Sequence, residues 1–310
     1  MARDQDETVR LRPRQSSRRL FLGCAVCAGA AAIGGGAWLL SRHSDTPTTA
    51  AKAAPIVTAS EAMILANRPA DIDCFRFDRN PNVIVLDFAS LHRQGAMLNR
   101  IAAMIEKNGA PHDRVLDDTS LARAIAASGT TADTFYYGHD YGTLELSRFF
   151  TAADQAGLAL SADEQWLRRL VTTQHGLEAG ARIGVISLPA ATGDVTVEMR
   201  RTILHHELSH GEFFTNPAYA DWAHSFWTQR LDSAGRDIFR KFLVSEGYDP
   251  QLETLLVNET QAYLMFTPSP SFFSASLLGV DEATLAAWRA QFRAGMPAGW
   301  LRETAEREAG

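Results

Sequence analysis

Cysteine is scarce in this 310-residue chain, which contains only Cys24, Cys27 and Cys74. Three cysteines cannot build the multi-disulfide framework that stabilises many small secreted domains. The first two lie in an N-terminal segment of separate character, so no internal disulfide is expected in the chain that follows it. We interpret Cys74 as a small buried apolar residue.

An excess of basic residues is also missing. The chain has 30 Lys and Arg against 36 Asp and Glu, a net charge of −6, and because residues 1–53 contribute +4, residues 54–310 carry −10. A body this acidic argues against binding to nucleic acid or to anionic membrane surfaces. A hydrophobic content of 46% excludes a disordered chain and is sufficient for a buried core.

Residues 1–53 differ from the rest of the chain. Ser17 to Leu22, SRRLFL, resembles the twin-arginine export signal of bacteria, and an Ala- and Gly-rich apolar stretch runs from Leu20 to Leu40. The small residues of Ala51-Lys52-Ala53 predict cleavage there, although the 21-residue stretch is also long enough to remain as a membrane anchor. We expect export by the twin-arginine translocation machinery to the periplasm or the cell exterior. Membrane contact is expected only through this segment, as attachment to the inner membrane if it is not cleaved.

The remaining chain predicts an α+β fold. Residues 44–60 are small and polar and read as a linker, and residues 134–142, TFYYGHDYG, predict a loop. Local patterns predict strands at 83–86 and 182–188, and helices at 87–108, 118–128, 143–156, 162–175, 195–214, 218–230, 233–246, 250–266 and 281–293. Because strands and helices do not alternate regularly, a doubly wound sheet is not expected.

Three parts follow from this reading. Residues 1–53 are the export segment and linker, 54–194 an N-terminal α+β part, and 195–310 a helical part that carries the candidate site. The range 54–310 is expected to fold as one compact unit.

The helix predicted at 195–214 carries His206-Glu207-Leu208-Ser209-His210, which is an H-E-x-x-H motif. Residues four apart on a helix share one face, so the two imidazoles can bind one zinc ion, and Glu207 can take a proton from a water at the metal. The alternative is a polar stripe, but polar groups on a packed helix need partners. Zinc also needs a third protein ligand, for which the downstream candidates include Asp221, His224, Glu246 and Glu253.

Two common patterns for the third ligand fail. H-E-x-x-H-x-x-G-x-x-H would require glycine and histidine where the chain has Phe213 and Asn216. A short-spacer glutamate is absent because Gln229 and Arg230 stand at those positions. Farther on, Asn258-Glu259-Thr260-Gln261-Ala262 forms N-E-x-x-A on a predicted helix. The combination of the two motifs resembles the gluzincin class of zinc metallopeptidases.

This resemblance implies a mostly helical zincin-like domain with a small sheet, in which the active-site helix is followed by a helical C-terminal part. It implies His206, His210 and Glu259 as ligands of one zinc ion and Glu207 as general base and acid. The 48 residues between His210 and Glu259 exceed the spacer of short-spacer members, and Ala262 stands where such enzymes usually have an acid. Strand 183–188 resembles the edge strand that aligns an extended peptide in these enzymes.

The oxyanion of the tetrahedral intermediate needs a further donor. We predict Tyr263, one turn beyond Glu259, and the alternatives are Tyr137, His139, Tyr141 and His224.

Other polar and aromatic residues near the motif are not expected to take part in the site. His205 points away from His206 and is not expected to be a ligand, and Glu212 is expected to be solvated. The aromatic residues of 213–227 are expected in the core rather than in a substrate cage.

The sequence therefore predicts an exported zinc peptidase that acts on peptides or proteins. Two alternatives stay open: a non-catalytic periplasmic binding protein stabilised by zinc, and a zinc hydrolase of non-peptide amides.

Overall fold

A mixed five-stranded sheet forms the centre of the protein, whose computed structural model describes residues 55–307. The strands are β1 (Val57–Ala59), β2 (Ile72–Phe77), β3 (Val83–Phe88), β4 (His139–Gly142) and β5 (Gly184–Pro189). Their order is β1-β2-β3-β5-β4. β1 is parallel to β2 and β3 is parallel to β5, whereas the pairs β2–β3 and β4–β5 are antiparallel. Within the described residues, β4 therefore lies at an edge.

Helices cover both faces of this sheet. The first half of the chain supplies α1 (Glu61–Ala66), α2 (Leu91–Ile105), α3 (Asp118–Ala127), α4 (Thr143–Gln155) and α5 (Ala162–Thr173), and α6 (Val197–Thr215) follows β5. Alternate side chains of a strand point to opposite faces. Ile84 and Leu86 accordingly pack in a cluster with α2, α4 and α5, while Val83 and Val85 pack in another cluster with α6. Burial on both faces explains why residues 83–86 of β3 form a continuous apolar run.

The C-terminal part is helical and packs on the outer side of α6. It comprises α7 (Pro217–Ser225), a π-helical turn (Phe226–Arg230), α8 (Ser233–Glu246), α9 (Glu253–Phe266), α10 (Ala275–Leu278), α11 (Glu282–Gly295) and α12 (Trp300–Arg307). A third apolar cluster joins these helices to residues of the first half, including Ala102 and Phe135. α6 therefore lies between the sheet and α9, and polar residues on both of its sides are buried.

Two glycines set the close approach of α6 to the sheet. A Cβ at Gly184 would lie 3.1 Å from the Cα of Gly211, and a Cβ at Gly211 would lie 2.8 Å from both methyl carbons of Val83. A side chain at either position would require the helix or the Val83 side chain to shift. His210, next to Gly211 in the chain, is consequently held against the sheet and is fully buried.

The predicted α+β class is confirmed, and Cys74 is buried in β2 as interpreted. The predicted linker is wrong at its end, because Val57–Ala59 pairs with β2 as β1. The helix predicted from 87 begins only at Leu91, since Asp87 and Phe88 continue β3 through pairing with β2 and β5.

Two further predictions about the sheet are wrong. The loop predicted at 134–142 ends in a strand, because residues 139–142 pair with β5 as β4. The strand predicted at 182–188 is β5, which lies between β3 and β4. It is therefore not at an edge of the sheet, as the peptide-aligning role expected for it would require. Four further elements, α1, β2, α10 and α12, lie in segments for which the sequence predicts no helix or strand.

Candidate metal centre

The helix α6 presents His206, Glu207 and His210 to the interior. It begins after Thr196, whose hydroxyl accepts a hydrogen bond from the Met199 amide at 3.1 Å. The ring centroids of His206 and His210 are 4.7 Å apart, as expected for residues one helical turn apart. Their exposed fractions are 3% and 0%, so both imidazoles are removed from solvent.

The helix α9 brings Glu259 to the same point. Its Oε2 lies 3.6 Å from Nε2 of His206, and its Oε1 lies 3.6 Å from Nε2 of His210. The three potential ligand atoms all lie within 4.8 Å of one another, and Glu259 is 1% exposed. The structure thus brings together the three residues that the two motifs single out.

The residues present fit a divalent metal ion of the zinc type. Within residues 55–307, both ring nitrogens of His210, both carboxylate oxygens of Glu259 and Oε2 of Glu207 are buried without a hydrogen-bond partner. Buried polar atoms are normally paired, because leaving them unpaired costs free energy. One cation bound by His206, His210 and Glu259 would pair Nε2 of His210 and the Glu259 carboxylate, and two imidazoles with a carboxylate are a donor set that zinc prefers.

Burial is the main cause of the pKa shifts of the ionisable residues at the centre. It lowers the pKa of His206 to about 4, so this ring is neutral and its lone pair is available to a metal. Burial raises the pKa of Glu259 to about 8, with His210 opposing the rise and Asp140 adding to it. Burial, assisted by the charges of Asp140 and Glu259, also raises the pKa of Glu207 well above its usual value. A bound cation acts in the opposite direction on both carboxyls, so metal and protons compete here.

Each histidine has a polar group near its other nitrogen, within hydrogen-bond distance for His206 and slightly beyond it for His210. Nδ1 of His206 is 2.9 Å from the Thr267 hydroxyl, which itself donates to the Ala262 carbonyl at 3.2 Å. Because that hydroxyl is already a donor, it accepts from Nδ1 and leaves Nε2 unprotonated on the side of Glu259. Such partners fix the tautomer and orientation of metal-binding imidazoles.

For His210 the corresponding group is Asp140, which the sequence analysis did not identify. Its Oδ2 lies 3.7 Å from Nδ1 of His210 and accepts a hydrogen bond from the Asn258 amide at 3.2 Å. Asp140, Glu207 and His210 also form a second buried group whose atoms could contact one ion. Asp140 reaches this place through the pairing of β4 with β5, for which the loop-like sequence around it gives no local signal.

A second missed residue is Gly138, immediately before β4. A Cβ there would overlap Oε1 of Glu207 and lie 2.6 Å from its Cδ. The backbone of Gly138 therefore forms a wall against the carboxylate, and only glycine leaves room for it.

The predicted oxyanion donors lie in different environments. The ring of Tyr263 lies edge-on to that of His206, 4.9 Å away, and packs against Phe242 on its other side. Nδ1 of His139 is 3.1 Å from the Ser187 hydroxyl, and burial lowers the pKa of His139 to about 3, which keeps the ring neutral. Tyr141 donates to the Leu98 carbonyl in the core. The donor role of Tyr263 stays a prediction.

The competing third ligands lie outside the groups able to hold a metal in the described part of the chain. These groups contain neither Asp221 nor His224, and neither Glu246 nor Glu253. The Glu253 carboxylate accepts hydrogen bonds from the Trp227 indole and, on both of its oxygens, from the Arg240 guanidinium.

His205, which was not expected to be a ligand, has its Nε2 within hydrogen-bond distance of Oε1 of Glu61, at 2.7 Å, away from the centre. The core assignment of Tyr219, Phe226 and Trp227 is confirmed. The expectation of a solvated Glu212 is wrong, because it is 7% exposed and accepts hydrogen bonds from Asn80, Asn216 and Trp300.

The predicted export segment, residues 1–53, lies outside the described residues. Among helices of residues 55–307, none combines the length and the apolar character needed to cross a membrane. Comparison of the chain with protein-family models, with curated proteins and with solved structures finds no match in any of the three.

Proposed function

We propose that the protein is a zinc-dependent peptidase of zincin-like organisation. The observation that carries this proposal is the convergence of His206, His210 and Glu259 on one buried point, with the Glu207 carboxylate beside it. A site that served only to stabilise the fold would have no need of the additional unpartnered carboxylate of Glu207.

His206, His210 and Glu259 would hold the zinc ion. When bound, zinc supplies a Lewis acid that polarises a carbonyl and lowers the pKa of water towards about 7. Thr267 and Asp140 contact the far nitrogens of the two histidines and orient the rings.

Glu207 supplies the acid–base chemistry. Its carboxylate is confined by the Gly138 backbone, and Oε2 has no partner within the described residues. In this proposal it takes the proton of the attacking water and then gives it to the leaving amine. Because a nearby cation lowers the pKa of a carboxyl, bound metal would favour the ionised form of Glu207, which is the form that acts as a base.

Export is a second element of the proposal. It rests on the twin-arginine-like sequence of residues 17–22 and on the absence of a possible disulfide in the chain beyond residue 53. Replacing Arg18 and Arg19 with lysine should retain the protein in the cytoplasm, which cell fractionation would detect. Unchanged export of that variant would reject this route.

The variant Glu207→Gln tests the chemistry. The amide keeps the size of the side chain but cannot accept the proton, so hydrolysis of a peptide library should fall by about 10²- to 10⁴-fold. Zinc content should stay at the wild-type level, because the ligand atoms are unchanged. Hydrolysis at the wild-type rate in a zinc-loaded Glu207→Gln protein would reject the assigned role.

A further inference from the structure

A cavity of about 470 Å³ lies beside the metal centre. Asp140 and Asn258 form part of its wall. Asp140 faces His210 across 3.7 Å, and Asn258 immediately precedes Glu259 in α9. A group bound in this cavity therefore lies next to the residues that hold the predicted ligands in place.

The walls of the cavity are largely apolar. Ile105, Phe213, Phe214, Leu252 and Leu255 line it, together with Leu144. Leu144 is 74% exposed, which places an unusually accessible large apolar side chain at the mouth. These walls suit the aliphatic stem of a long side chain, because such stems gain free energy by leaving water.

The charge of the cavity is mainly negative. Glu106, Asp140 and Glu145 line it, against one nearby base, Arg148. Arg148 donates to the carbonyl of His112 at 3.2 Å.

Glu106 is the acid that needs a partner. It is 3% exposed, and its Oε1 has no hydrogen-bond partner within residues 55–307. The neighbouring Lys107 ammonium lies 4.4 Å and 4.5 Å from the ring centres of Phe135 and Tyr136, and its charge lowers the pKa of Glu106 against the larger opposite effect of burial. Ionising a carboxyl that is buried with one oxygen unpaired is costly, and a ligand cation that contacts Glu106 would be favoured because it offsets that cost.

We propose that this cavity is a subsite for a cationic side chain, lysine or arginine, of the peptide substrate, with Glu106 as its counter-ion. The identity of the ligand as a substrate rests on the proposed peptidase function. The apolar walls take the stem and the Glu106 carboxylate takes the charged end. An aliphatic side chain of equal length leaves Glu106 unpaired, and an acidic one adds repulsion from Glu106 and Asp140.

Peptides that differ at a single residue test the subsite. A peptide cleaved by the wild type is prepared with lysine or with norleucine at each position in turn. At one position, kcat/KM should favour lysine by about 10- to 100-fold, the range expected of a hydrogen bond between charged groups. In Glu106→Gln this ratio should fall to within a few-fold of one.

Two variants accompany Glu106→Gln. Glu253→Gln is the matched control, because Glu253 lines the same cavity but is already bonded to Trp227 and Arg240. It should keep the lysine preference. Leu144→Lys places a positive charge at the exposed mouth, where folding is not at risk, and should lower the preference several-fold. An unchanged lysine preference in a folded Glu106→Gln protein would overturn the proposal, and an unchanged preference in Leu144→Lys would reject this cavity as the place where the lysine binds.

Binding of n-butylammonium and n-butanol, compared by saturation-transfer NMR, separates the subsite from the activity. The wild type should bind the ammonium more tightly, and Glu106→Gln should lose that difference. This result without cleavage of any peptide would reject the peptidase function and support the cationic subsite. Peptide cleavage without lysine preference at any position, or butanol bound as tightly as butylammonium, would reject the subsite alone.

Discussion

Gly138 allows a direct test of where the base lies. In Gly138→Ala, the new methyl group would overlap Oε1 of Glu207 and lie 2.6 Å and 3.0 Å from its Cδ and Cγ. Carbon atoms in contact prefer about 3.5–4.0 Å, so the carboxylate must move by roughly 1 Å. A displacement of that size in a catalytic group lowers the rate by about 100-fold. The metal ligands are untouched, and zinc affinity should remain within a few-fold of that of the wild type.

The assay compares kcat on one peptide, zinc affinity and thermal stability for the wild type and Gly138→Ala. Gly157→Ala is a suitable control, because a Cβ at Gly157 meets no atom within 4 Å and Gly157 lies after α4, away from the centre. Its positive φ of 61° makes alanine mildly destabilising, but kcat should not change. Wild-type kcat in a folded, zinc-loaded Gly138→Ala protein would refute the placement of Glu207.

Three further predictions concern the surroundings of the centre and the core. Asp140→Asn should weaken zinc binding by about 10- to 100-fold in competition with a chelator, because His210 loses its carboxylate partner, and equal affinity would contradict that role. Burial raises the pKa of Glu259 to about 8 in the folded protein, above its pKa in the unfolded chain. The zinc-free protein should therefore lose stability, measured by denaturant titration, as the pH rises between these two pKa values. An equal loss of stability in Glu259→Gln would show that another group causes it. Arg200→Met should cost about 3–5 kcal/mol in urea unfolding, because Arg200 donates at 2.7 Å and 2.8 Å to the fully buried Asp87; a cost under about 1 kcal/mol would contradict this.

The sequence predicts those parts of the candidate metal centre that depend only on the spacing of residues along one helix. His206 and His210 share a helical face because they are four residues apart, and α6 was predicted within two residues of its observed ends. Glu259 was found only by its motif, since 48 residues separate it from His210 and no local rule connects the two.

The groups around the ligands could not be predicted in this way. Asp140 and Gly138 belong to a Gly- and Tyr-rich segment whose strand is specified by pairing with β5 and not by its own alternation. The same argument applies to Glu212, which was expected in solvent because its partners Asn80 and Trp300 are 132 and 88 residues away in the chain. Tertiary contacts decide such positions, and a single sequence does not display them.

The zinc content of purified wild type, Glu259→Ala and Glu253→Ala tests the central claim most directly. Glu253 is a matched control because it lies on the same helix, outside the groups that could hold a metal in the described chain. We predict one zinc ion per chain in the wild type and in Glu253→Ala, and a large loss in Glu259→Ala. Full zinc occupancy in Glu259→Ala, or none in the wild type, would contradict the account.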